Sequence, residues 1–321
     1  MTQAILPAFA VIEQNSAQMD SWNIVGLSID QDILNILSPG GDGAFSGFSS
    51  RVGKAQPDHD YLSRHNRGGT AEPQRSPADE IEFVDIDSEL QCEDYPLLGY
   101  VLHQEPLVMY IPSFVKPSEA AHIIGISEPG FGPAYVEDAG KIVPDQKARR
   151  SETAMPPRDE TIRCIEQRVR NIQPWDDDHH HQGRQKQQQL KLEALGTQRY
   201  QAGGFFTLHY NYFAQPGKPD RASTLNFYLA ANCTGGGTHF PRLPRPRDPA
   251  WCEFIECDDD TTEEEEAAAA DGVVFKPIPG NAIYWENLRE DGTGYEQTLH
   301  QGLPIKSGVK IGMNAWSWIF P

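Results

Sequence analysis

Basic residues are scarce in this chain. Across 321 residues, 27 Lys and Arg stand against 46 Asp and Glu, a formal charge of −19. Phosphate backbones are bound by clustered Lys and Arg, so no nucleic-acid partner is expected. Long apolar runs are also missing. None approaches the ~20 residues that a spanning helix needs, so no membrane association is expected. Ala4 to Ile12 is a short apolar run with no basic residue ahead of it, a poor secretory signal, and the chain reads as cytoplasmic. Cysteine is sparse and odd in number: Cys92, Cys164, Cys233, Cys252 and Cys257. That count in a long chain argues against a secreted disulfide scaffold. Cys252 and Cys257, five apart, read better as reduced thiols than as a clip or metal pair. Asn232-Cys233-Thr234 is a formal glycosylation sequon that means little without export. Apolar residues make up only 38%, and the deficit concentrates in residues 1–90, 176–189 and 258–271.

The organisation follows from that unevenness. Residues 1–94 are variable and largely low-complexity, with one short helix expected over Ile29 to Leu37 and a flexible tract over Gly40 to Gly69. Packed structure is expected from about Tyr95, giving one domain over 95–321. Pro106 to Ile111 reads as a strand, and Pro117-Ser118-Glu119 opens a helix. Ile162, Ile165, Val169 and Ile172 recur at helical spacing, which predicts an amphipathic helix over Arg158 to Ile172. Two inserts interrupt the domain, near 176–189 and 258–271. Consecutive histidines 179–181 face alternate sides of an extended chain and read as a solvated loop. The Asp258–Glu266 run lacks the Gly turns and ligand spacing of a calcium loop. From Tyr200 onward, short strand candidates alternate with Gly and Pro turns: Leu225 to Leu229, Val273 to Phe275, Ala282 to Trp285 and Lys310 to Trp318. That rhythm predicts a mainly β sandwich or jelly roll.

Inside this β region, His209 and Asn211 stand i, i+2 in an apolar run, which on a strand points both to one face. His300 follows 89 residues after Asn211, and Lys310 ten residues later. Two nearby ligands plus one distant histidine is the layout of a facial iron site, built from two histidines and a carboxylate with open positions. Here the carboxylate position reads Asn. Taken singly, each of these residues is more often a packed or surface side chain; their order along the chain is what gives them weight.

That order includes Arg199-Tyr200, His209-Tyr210-Asn211, Arg221 to Thr224, Gly235-Gly236-Gly237-Thr238, Trp251-Cys252, Gly280-Asn281-Ala282, Leu299-His300-Gln301-Gly302, Lys310 and Asn314-Ala315-Trp316. Together these segments resemble the prolyl 4-hydroxylase-like family of Fe(II)- and 2-oxoglutarate-dependent dioxygenases, in its fungal type, over roughly residues 95–321. The resemblance implies a double-stranded β-helix (jelly-roll) core with flanking N-terminal helices. It implies hydroxylation of an unactivated C–H bond of a small-molecule or peptidyl substrate, with 2-oxoglutarate as co-substrate and ascorbate as auxiliary reductant. His209 and His300 would be iron ligands, with Asn211 where the family has Asp. Lys310 would bind the distal carboxylate of 2-oxoglutarate, with Tyr200 and Thr238 hydrogen-bonded to it. Arg221 and Trp316 would line the substrate pocket. Homo- or hetero-oligomers remain open.

Asn211 leaves three accounts open. It could be an introduced Asp→Asn change, the mark of a pseudo-oxygenase serving as partner subunit or scaffold, or part of an enzyme working with two histidines and amide ligation. A neutral oxygen removes one negative charge from around a divalent ion, at a cost of at least the roughly 10–100-fold known for more distant changes.

Overall fold

The computed structural model describes residues 10–14, 22–26, 81–86, 90–93, 95–138, 141–143, 145–173, 190–215, 217–257 and 272–320; for 10–14, 22–26, 137–138 and 141–143 it gives the backbone path alone. The expected Ile29–Leu37 helix, the Gly40–Gly69 tract and both inserts lie outside the described residues. All described elements belong to one unit, Met1–Ser28 with Pro77–Pro321.

The strands around the site are β1 (Leu98–Gln104), β2 (Leu107–Ile111), β3 (Arg149–Arg150), β4 (Glu152–Ala154), β5 (Gly196–Gln201) and β6 (Phe205–His209). They continue as β7 (Asp220–Gly235), β8 (Thr238–Phe240), β9 (Val273–Phe275), β10 (Ala282–Glu286), β11 (His300–Gly302) and β12 (Ile305–Ile319). The fold is mainly β and jelly-roll in kind. A large sheet runs β1-β2-β10-β7-β12-β5-β4, and a five-stranded sheet runs β9-β8-β11-β6-β3. The long β7 and β12 pair antiparallel almost end to end.

Alternation along these strands separates core from cavity. On β7, Leu225, Phe227 and Leu229 face a core shared with the helices, while Asn226 and Tyr228 line a cavity between the sheets. On β12, Ile311, Met313 and Ala315 face that same core, while Lys310, Gly312, Asn314 and Trp316 line the cavity. The helices close the core from outside. Helix α1 (Pro117–Ser127) starts on proline, and the Glu119 carboxylate accepts the Lys116 N–H at 2.8 Å. Helix α2 (Glu160–Asn171) is capped by Asp159, whose side chain accepts from Ile162 N. Its Ile162, Ile165 and Val169 are buried, each contributing about 1.5–3 kcal/mol by area. Arg168 on α2 makes a bidentate pair with Glu119 on α1, at 2.9 and 2.7 Å.

Two expectations are corrected. Packing begins before Tyr95: strand Phe83–Val84 pairs with Lys191–Glu193, and Val84 is part of the core. The cysteines are not all thiols. Cys92 is joined to Cys164, 72 residues away on α2, and Cys252 to Cys257 across a short turn. An odd total is compatible with two pairs and one free thiol, Cys233, and chain spacing could not reveal that α2 faces the segment around Cys92.

Candidate active site

The two histidines meet across paired strands. β6 and β11 are antiparallel, and His209 stands directly opposite His300, with ring centroids 4.3 Å apart. Each ring is locked in the same way: Nδ1 contacts a backbone carbonyl two residues earlier, Thr207 for His209 and Thr298 for His300, both at 2.8 Å. An Nδ1–H donating to a carbonyl leaves Nε2 as the lone-pair nitrogen, the tautomer a metal requires. Phe206 stacks on His209 at 3.6 Å, and Trp285 and Phe240 clasp His300. Burial pushes the His300 imidazole down to about 4. Burial, and then the neighbouring His300, hold His209 well below its ordinary value. Both rings are therefore neutral at physiological pH.

Asn211 does not share a strand with His209. β6 ends at His209, and Asn211 lies in the bend beyond, so the strand-face argument for this pair fails. Its side chain is nevertheless buried and lines the cavity. What places it is the following loop: the Asp220 carboxylate accepts backbone N–H groups from Phe213, Ala214 and Arg221 at 2.7–3.0 Å. Asn211 Nδ2 donates to Thr224 Oγ1 at 3.2 Å, and the same hydroxyl receives Asn287 Nδ2 at 2.9 Å. That contact leaves the amide oxygen as the atom available to the cavity. Among the described residues no three His, Cys, Asp or Glu side chains come together as a metal group, so no other carboxylate takes the missing place.

Lys310 enters the same cavity from the large sheet, where β12 pairs it with Tyr200 of β5 and Ala231 of β7. It is buried, and its Nζ donates to the Gly236 carbonyl at 2.6 Å. The ammonium lies 4.9 Å from the Tyr200 ring centroid. No carboxylate pairs with it among the described residues. Gly236 has φ +77°, a left-handed conformation that favours glycine, and a Cβ there would run into Ile305 Cδ1. Burial without a counter-charge pushes the Lys310 ammonium down to about 8.

The structure thus brings His209, Asn211, His300, Lys310, Tyr200, Thr238 and Trp316 around one cavity. Arg221 is the exception. Its guanidinium makes a bidentate pair with Glu193 at 2.9 and 3.0 Å and stacks on the Trp316 ring at 3.9 Å, standing behind the wall rather than in it. Thr238 Oγ1 is shared with the Tyr228 hydroxyl at 2.7 Å. Sequence reasoning missed Arg149, Gln198, Asn226 and Asn314, which also line the cavity. A signal existed for Asn226: it is a polar residue between Leu225 and Phe227, both fully buried. It sits in register with Asn314, and the two amides are hydrogen-bonded.

Residues 195–318 match the family model of the 2OG-Fe(II) oxygenase superfamily. The chain is also similar in sequence to several prolyl 4-hydroxylases. The Arabidopsis thaliana protein "Probable prolyl 4-hydroxylase 3" is 26% identical over 225 residues, covering 67% of this chain and 70% of that protein. The prolyl 4-hydroxylase subunit alpha-3 of Bos taurus is 24% identical over 230 residues, but only 35% of that subunit is spanned. Among solved structures, the viral collagen prolyl hydroxylase of Paramecium Bursaria Chlorella virus-1 aligns with 66% of this chain and 95% of its own, at 24% identity and a TM-score of 0.46. The family implies Fe(II) and 2-oxoglutarate. Two neutral imidazoles with free Nε2 atoms fit Fe(II), and a buried, unpaired ammonium fits a carboxylate. The amide of Asn211 departs from the facial set in charge, though an oxygen atom is available.

Proposed function

We propose that this chain is a prolyl 4-hydroxylase-like oxygenase whose iron site is completed by an amide oxygen rather than a carboxylate. The observation that carries this reading is the pairing of features in one cavity: two facing histidines in the metal-ready tautomer and a buried lysine lacking an anion. Fe(II) would be held by His209 Nε2, His300 Nε2 and Asn211 Oδ1, and when bound it would activate dioxygen, the oxidant, so that one oxygen atom enters the substrate C–H bond as a hydroxyl and the other enters succinate as 2-oxoglutarate loses carbon dioxide.

The chain's own residues do the rest. Lys310 takes the distal carboxylate, with the Tyr200 and Thr238 hydroxyls completing its hydrogen bonds. Thr224 turns the Asn211 amide so that its oxygen, not its nitrogen, faces the histidines. Phe206, Phe240 and Trp285 keep water off the imidazoles. Trp316 forms a substrate wall, stiffened by Arg221 and Glu193 behind it. The substrate class is a peptidyl prolyl group, following the relatives' names, and ascorbate serves as auxiliary reductant. The Trp251-Cys252 and Gly280-Asn281-Ala282 segments have structural work here: Trp251 is buried, Cys252 is in a disulfide, and Asn281 ties the Ser113 N–H to the Tyr110 hydroxyl.

The test is turnover by the full chain with Fe(II), 2-oxoglutarate and a proline-rich peptide, following succinate and peptide mass together. Succinate release coupled to a one-oxygen gain on the peptide is expected. Tight binding of iron and 2-oxoglutarate without turnover on any substrate would replace the enzyme by a pseudo-oxygenase.

A further inference from the structure

We propose that this chain matures in an oxidising compartment and carries an N-linked glycan on Asn232. Two independent observations meet at this conclusion. The first is redox. Four of the five cysteines are joined as Cys92–Cys164 and Cys252–Cys257, leaving Cys233 free. Disulfides persist in oxidising compartments and are rare where cellular thiols keep cysteines reduced. This proposal replaces the cytoplasmic expectation.

The second is the triplet Asn232-Cys233-Thr234, the single Asn-X-Ser/Thr sequence in the chain. A glycan must sit on an exposed face, and the fold decides which face this is. Strand alternation near the end of β7 leaves Asn232 and Thr234 exposed, with Ala231 and Cys233 half-buried on the other side. The partners across β12 are Val309 and Ser307, and the Thr234 and Ser307 hydroxyls are 2.8 Å apart. Val309 is an apolar side chain left 36% exposed, and a sugar on the opposing Asn232 would cover it. On its other edge, β7 pairs with β10 only from Ser223 to Phe227, so that strand does not flank Asn232. The cavity lies on the opposite face, since the neighbouring Ala231, not Asn232, stands in register with the cavity-lining Lys310. A glycan at Asn232 therefore leaves the cavity mouth free.

The transfer occurs on the extended chain before β7 folds. The Asn232 amide nitrogen bonds to the anomeric carbon of a lipid-pyrophosphate-linked oligosaccharide. The carbon–oxygen bond to the pyrophosphate breaks, the pyrophosphate leaves, and the amide proton passes to the transferase.

The experiment directs the full chain into the secretory pathway of a eukaryotic cell behind a cleavable leader. Digestion with peptide-N-glycosidase is expected to increase gel mobility and convert Asn232 to Asp in the tryptic peptide. Asn232→Gln and Thr234→Ala should abolish the shift, while Thr234→Ser, which preserves the triplet, should retain it. Alkylation of the unfolded, unreduced protein should label one thiol, Cys233, and reduction should expose all five. An unmodified Asn232, a glycan that survives Asn232→Gln, or five thiols alkylated without reduction would each overturn the proposal.

Discussion

Replacing Lys310 by methionine should have two effects of opposite sign. The side chain is buried, and its charge meets a carbonyl and an aromatic face but no carboxylate. Its pKa is pushed from 10.5 to about 8, which at 1.36 kcal/mol per unit is a cost of about 3 kcal/mol for keeping the ammonium in the ligand-free protein at neutral pH. Lys310→Met has similar bulk and removes that cost. It also leaves the Gly236 carbonyl without its donor, a loss of roughly 1–2 kcal/mol. The net expectation is a gain on the order of 1 kcal/mol, seen as a rise in Tm of about 2 °C. Binding of 2-oxoglutarate should move the other way. Removing one partner of a buried charge pair costs ~3–5 kcal/mol, a loss of over a hundredfold in affinity. Calorimetric titration of 2-oxoglutarate into the anaerobic Mn(II)-loaded protein measures the second effect, and thermal unfolding of the ligand-free protein the first. A destabilised variant with unchanged 2-oxoglutarate affinity would show that Lys310 is a structural residue and refute the reasoning.

Other outcomes follow from the same geometry. Asn211→Asp restores a negative charge and should raise Fe(II) affinity by at least ~10-fold; equal affinity in a competition titration would mean that residue 211 does not face the metal. Thr224→Val should weaken Mn(II) binding by about 10-fold and Thr224→Ser should restore it, whereas equal loss in both would assign Thr224 to packing. The His300 pKa, lowered from 6.5 to about 4, makes the unfolded chain bind more protons between those values, so the ligand-free fold should lose about 3 kcal/mol as pH falls through that window. For Lys310 the same linkage should make the ligand-free fold gain stability from about pH 8 to 10.5, while 2-oxoglutarate affinity declines over that range because the free lysine loses its proton. Chemical unfolding and calorimetry across pH check both.

Much of the strand pattern was legible because period-2 alternation survives in the chain. Val273–Phe275 was read to the residue, and the α2 boundaries fell within two residues because Ile162, Ile165, Val169 and Ile172 repeat at helical spacing. The convergence of His209, His300 and Lys310 was legible only through the resemblance. Nothing in local spacing says that β6 and β11 pair opposite their histidines, or that Lys310 arrives from the other sheet. The placement of Asn211 was misread because strand periodicity was carried two residues too far; a loop clamped by Asp220, not a pleat, turns it inward. The disulfides were missed for a similar reason: Cys92 and Cys164 are distant in sequence and meet only through tertiary packing.

The central claim is that His209, His300 and Asn211 hold iron beside a 2-oxoglutarate seat at Lys310. Anaerobic absorption spectroscopy tests it most directly, because a keto acid bound to Fe(II) produces a charge-transfer band that neither shows alone. The account predicts a saturable band when 2-oxoglutarate is added to the Fe(II)-loaded protein, abolished in His300→Ala and requiring over a hundredfold more 2-oxoglutarate in Lys310→Met. No band in the folded wild-type protein, or one unaffected by either substitution, would contradict it.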